Sequence, residues 1–148
     1  MKSRQGEKKQ TLKLRVEEHV NFRLIGISSH ENDYRLVWSI NNLLKMQFVR
    51  IENLIIHHQK LKTDMEFSRF SHHNEDKYLT YFLISNRCPD GFLFPEVKNF
   101  DFLLQIIGDI NDGQIKELIR DIKTASVVSA VFLLQPEKIK DITRVLPD

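Results

Sequence analysis

The stretch FDFLLQIIGDINDGQIKELIRDIKTASVVSAVFLL, residues 100–134, spells out one complete supersecondary unit. Residues 100–107 are a nearly continuous apolar run, which predicts a strand. Asn111 is a good helix N-cap, with Gln114 three residues on and Ile110 placed to staple against Ile115. Ile115, Leu118, Ile119 and Ile122 mark one helical face, with Lys116, Glu117, Arg120 and Asp121 opposite. Residues 127–134 then read as a buried strand. Strand, capped helix and strand make a βαβ unit, whose crossover should be right-handed.

Upstream, the same pattern recurs. Residues 22–27 form an apolar run, interrupted by Arg23 and ended by Gly26. Ser28 and Glu31 stand at capping-box spacing, and the helix that follows should run to about Lys45. Leu36, Val37, Ile40, Leu43 and Leu44 form its core stripe, while Tyr34, Trp38 and Asn41 adjoin it. Residues 48–56 read as the returning strand. Between the two units, residues 65–70 and 77–85 read as hairpin arms around His72-His73-Asn74-Glu75-Asp76. The second arm is apolar on both alternating sets, the mark of a central strand. Cys88-Pro89-Asp90-Gly91 is a turn, with proline pre-setting the backbone at its second position.

Two βαβ units separated by a hairpin predict an α+β fold. The expected form is a ferredoxin-like or ACT-like sandwich, with helices on one face of a mostly antiparallel sheet. Its other face would then be uncovered and would need a partner, which predicts a homodimer. Leu12, Leu14 and Val16 alternate with Lys13 and Arg15 as a short half-exposed strand would. The expected organisation is a disordered basic tail over residues 1–10 and one domain over residues 11–148.

Composition narrows the function classes. The chain has 148 residues, enough for one well-formed core. Its net charge of +2 comes from the first ten residues, Lys2, Arg4, Lys8 and Lys9 against Glu7. Taking those from 22 basic and 20 acidic residues leaves 18 and 19, a nearly neutral fold. That balance, with no RNP1-like pattern, argues against nucleic acid. Apolar runs such as residues 130–134 are too short to cross a bilayer, so no membrane association is expected. No apolar stretch follows the N-terminal charges, and Cys88 is the one cysteine, so a reducing cytoplasm is the expected location.

Residues 94–102, Phe94-Pro95-Glu96-Val97-Lys98-Asn99-Phe100-Asp101-Phe102, resemble the signature of the IPExxxVDY family of small bacterial proteins. Pro95, Glu96 and Asp101 match that string at the right spacing, while Phe94, Phe100 and Phe102 replace its isoleucine, valine and tyrosine. Two further patches resemble the family. One runs from Leu24 through Gly26, His30, Glu31, Asp33 and Leu36 to Trp38 and Asn41, the other over residues 81–86. The resemblance covers most of the chain from Leu12 to about Leu134. It implies a fold and no reaction, and Phe102 removes any role for a tyrosine hydroxyl there.

Candidate chemistry is sparse. Glu96 and Asp101 could act as acid and base if they met in a cleft. The competing structural reading has Pro95 stiffening the loop, Glu96 accepting backbone N–H groups and Asp101 paired with an arginine or amide. The histidines His19, His30, His57, His58, His72 and His73 lack metal-ligand spacing, so no metal site is expected. Five glycines make no phosphate-cradling loop, and no cofactor is expected. The first expectation is therefore a non-enzymatic interaction or regulatory module. The alternative is an ACT-like metabolite sensor binding an anion at the start of the first helix, with Ser28, Ser29, Glu31 and Asn41 as ligand-binding candidates. The third is an acid–base enzyme using Glu96 and Asp101.

Overall fold

In the computed structural model the described residues are 21–146. They begin with β1 (Phe22–Ser29), α1 (Asp33–Leu44), β2 (Val49–His58), β3 (Thr63–Asn74) and β4 (Leu79–Ser85). A short hairpin follows, β5 (Arg87–Cys88) and β6 (Gly91–Phe92), and then β7 (Phe102–Ile107), α2 (Asp112–Lys123) and β8 (Val128–Leu134). The expected basic tail over residues 1–10 and the expected strand at Leu12–Val16 lie outside the described residues.

Six strands form one sheet in the order β2-β3-β4-β7-β1-β8, and every neighbouring pair is antiparallel. This order overturns the expected ferredoxin-like or ACT-like pair of βαβ units. The described residues form eight strands and two α-helices, and although α2 joins strands that flank one other, β1, as in a split βαβ unit, α1 does not. The strands joined through α1 stand at opposite sides, with β3, β4 and β7 between them. Both helical connections therefore cross over other strands. Periodicity identifies strands and helices, but partner choice is set by long-range packing that no local window records.

Both helices pack on one sheet face. Leu36, Val37 and Ile40 of α1 and Ile115, Leu118 and Ile122 of α2 share a core with Ile25, Ile27, Leu83, Leu104 and Ile106. The second face is not bare, which removes the expected reason for a dimer. Leu93 and Phe94, together with Ile139, Ile142 and Val145 of the C-terminal segment, cover Leu24, Phe67, Ile84 and Leu103. The buried Gln105 fastens that segment by donating its Nε2–H to the Val145 carbonyl at 2.8 Å.

Locally, several signals agree with the structure. Asn111 caps α2 with the reciprocal Gln114 bonds of a capping box. β4 is an inner strand, paired on both sides. Other signals do not. α1 is capped by Asn32, whose side chain accepts from Arg35 N–H, and not by Ser28. His72 and His73 belong to β3, and the connecting turn falls at residues 75–78. β8, expected to be buried, is an edge strand with Phe132 and Leu133 exposed.

Candidate functional site

The motif at residues 94–102 folds around Asn86, which follows β4 and is fully buried. Its Nδ2–H group faces the carbonyls of Phe94, Val97 and Phe100 at 3.4, 3.1 and 3.0 Å. Its Oδ1 accepts from Phe94 N–H at 2.9 Å. Its backbone N–H donates to the Asp101 carbonyl, and its carbonyl accepts from Leu93 N–H. One side chain thus satisfies the polar backbone of a loop that would otherwise be buried without partners. Pro95 opens a 3₁₀ turn in that loop, over Pro95–Val97.

Asp101 carries the second junction. Its Oδ2 accepts from Ser29 N–H at 2.7 Å, and its Oδ1 pairs with the Arg87 guanidinium. Its backbone N–H donates to the Ile27 carbonyl. Ser28 Oγ–H donates to the Asn99 carbonyl at 2.8 Å, and Ser29 Oγ–H donates to the Val127 carbonyl at 2.6 Å. Phe100 lies flat over Gly26, where a Cβ would sit 2.6 Å from the ring, so only glycine fits that position.

These contacts place each candidate residue. Ser29 N–H, which a bound anion would have needed, is already taken by the protein's own Asp101 carboxylate. Glu31 N–H donates to Ser29 Oγ, and the Glu31 carboxylate faces Arg35. Asn41 closes the α1–β2 connection by exchanging bonds with the backbone N–H and C=O of Phe48, at 2.8 and 3.2 Å. Glu96 is exposed on the 3₁₀ turn, while the Asp101 side chain is only 14% exposed. The cleft that Asp101 lines, with Glu31, Arg87 and Phe102, does not include Glu96. Asn86 and Arg87 had only a weak sequence signal, a polar pair between an inner strand and a proline turn.

His57, His58, His72 and His73 are each engaged separately, and His30 is exposed. His57 pairs with Asp64, His58 Nδ1 accepts from Leu61 N–H, and His73 meets Thr80 Oγ1. His72 sits between the Phe48 and Tyr81 rings, and its Nδ1 accepts from Gln47 N–H. Burial there pushes the His72 pKa below its ordinary value, with the adjacent His73 adding to the shift. Burial also raises the Tyr81 hydroxyl. No described group of three His, Cys, Asp or Glu side chains is arranged to hold a metal ion.

The two edges of the sheet differ. β2 carries Arg50, Glu52, His57 and His58, and its pairing with β3 is broken by an irregularity between Ile51 and Leu54. Arg50 and Arg69 fill that break: Arg50 stacks on Phe70 and donates to the Arg69 carbonyl, and Arg69 donates to the Glu52 carbonyl. Charge and irregularity are how sheets block unwanted pairing. β8 reads VSAVFLL, with no charge and no proline. Phe132 is 56% exposed and Leu133 is 46% exposed, on opposite faces of the strand. No described strand pairs with its outer side.

No family model and no curated protein matches the chain. The resemblance to IPExxxVDY proteins rests on its three patches, and those three are the segments that meet around Asn86 and Asp101. No described helix is long and apolar enough to cross a membrane.

Proposed function

We propose that this protein is a cytoplasmic, non-enzymatic interaction module that acts as a homodimer, with β8 pairing against β8 of a second copy. Membership of the IPExxxVDY family belongs to the same reading. The observation that carries it is the contrast between a guarded edge at β2 and an uncharged, apolar edge at β8. A long hydrophobic edge left open templates pairing with another chain. Two copies related by a two-fold axis can pair their edges antiparallel and join both sheets into one. Phe132 and Leu133 would then gain cross-strand neighbours, one on each face, and each new backbone hydrogen bond contributes about 1 kcal/mol net.

The polar network supports the non-enzymatic part. The motif's buried or half-buried polar groups are saturated by one another, and its exposed acid, Glu96, stands apart. Sedimentation of the full chain checks the proposal: a dimer is expected, and Phe132→Lys/Leu133→Lys should be a folded monomer. A wild-type monomer overturns it, including one in which residues 12–16 of the same chain cover the edge.

A further inference from the structure

At the other end of the sheet lies a cleft of about 670 Å³, within the range of small-molecule sites. Three segments distant in sequence border this open cleft: the end of β2 with the β2–β3 turn, the β5–β6 hairpin with Pro95, and the C-terminal segment. Its apolar wall is Met65, Phe92 and Pro95. Gly91, at φ 152°, turns the hairpin beside Met65, a conformation that other residues rarely adopt.

The charges in the cleft are unbalanced. Lys60, Lys140 and Arg144 line it against one acid, Asp90. Within 4 Å of Lys60 and Lys140 no described carboxylate is found. Arg144 is half-buried and held in place, donating from Nη1 to the Leu93 carbonyl at 2.7 Å, with Nη2 3.9 Å from the Asp141 carboxylate, so its guanidinium is preorganised. Gathering Lys60, Lys140 and Arg144 here against Asp90 and Asp141 leaves net positive charge that costs repulsion unless an anion offsets it. His58 also lines the cleft, and because its Nδ1 accepts from Leu61, the proton of the neutral ring is on Nε2, a further donor.

We infer that this cleft binds an organic phosphate with a flat apolar body, of the nucleoside monophosphate kind. A phosphomonoester carries roughly −1.5 to −2 at pH 7, of the sign that offsets the positive charge Asp90 and Asp141 leave uncompensated. Arg144 supplies a planar fork for phosphate oxygens and the two lysines supply point charges. The ring system lies against Phe92, Met65 and Pro95. Binding would clamp the C-terminal segment to the β5–β6 hairpin. The site is at the edge opposite β8, so it stands or falls independently of the dimer.

The experiment is thermal melting and calorimetric titration of the full chain with AMP, GMP, CMP and UMP, beside adenosine and inorganic phosphate. At least one nucleotide should raise Tm, adenosine should not, and inorganic phosphate should bind at least tenfold more weakly. Lys60→Glu/Lys140→Glu changes two exposed side chains, so it should melt like wild type yet lose at least tenfold in nucleotide affinity. No shift from any of the four nucleotides overturns the inference. So does an equal shift from adenosine, equal affinity for inorganic phosphate, or undiminished affinity in the folded double variant.

Discussion

The β7–β1–β8 half of the sheet and the β2–β3–β4 half manage their polar groups in opposite ways. In the first, polar side chains turn inward: Asp101 and Ser29 join β1, β7 and the motif loop, and Asn86 knits the loop together. The strand left outermost there, β8, is apolar and uncharged. In the second half the polar groups turn outward, where Arg50, Arg69 and Glu52 disrupt and charge the edge. Among the described residues one edge is guarded and the other is left unpaired, which is the contrast the proposed dimer rests on. The difference teaches that the string at residues 94–102 builds a scaffold, and the proposed dimer looks for its surface elsewhere, at the apolar edge.

Breaking the inward half should have the largest consequence. Asn86→Ala removes a donor to three carbonyls and the acceptor for Phe94 N–H, and should cost about 4 kcal/mol in urea denaturation. Asp101→Asn keeps the shape but loses the charge facing Arg87 and Ser29 N–H, for about 1–2 kcal/mol by the same measurement. Glu96→Ala, five residues away in the same string, should leave the urea midpoint where it is, because Glu96 is exposed. If Glu96→Ala destabilised as much as Asp101→Asn, the motif would be more than a scaffold.

Two smaller effects sharpen the outward half. Ile55→Lys adds a charge to an edge that is already guarded, so the dimer's dissociation constant should not change in a dilution series. His72, on β3, has a folded pKa below its unfolded value of about 6.5. The unfolded chain therefore binds the proton more readily, and stability present above pH about 6.5 is lost as pH falls through the lower folded value. His72→Gln should flatten Tm against pH between about 7 and 5 relative to wild type.

What the sequence disclosed was local. The Asn111–Gln114 cap, the turn at Cys88–Gly91 and the two-sided apolar character of β4 depend on neighbours a few residues apart, and each was legible. The strand order was not, because β1 finds β7 and β8 some 70 to 110 residues away. Without that order, VSAVFLL reads as a buried strand; placed outermost, the same residues become an exposed edge. Ser28 and Glu31 have capping spacing, yet Ser28 is drawn into β1 by its pairing with Ala130, and Asn32 takes the cap. The C-terminal cover was not legible: Ile139, Ile142 and Val145 come from two short 3₁₀ turns and the link between them, too brief for a periodic signal. Asp101 was expected to pair with an arginine or amide, and it meets both Arg87 and a backbone N–H. Asn86, the better-buried group, carried little signal because an asparagine before a turn is common.

Sedimentation velocity on the wild-type chain and on Phe132→Lys/Leu133→Lys, each checked for folding by its melting transition, weighs the open edge against the guarded one. The wild type should sediment as a dimer and the double variant as a folded monomer, with affinity reduced at least 100-fold, about 2.7 kcal/mol. A wild-type monomer, or a double variant that remains as dimeric as the wild type, would contradict the assignment of β8 as the dimer edge.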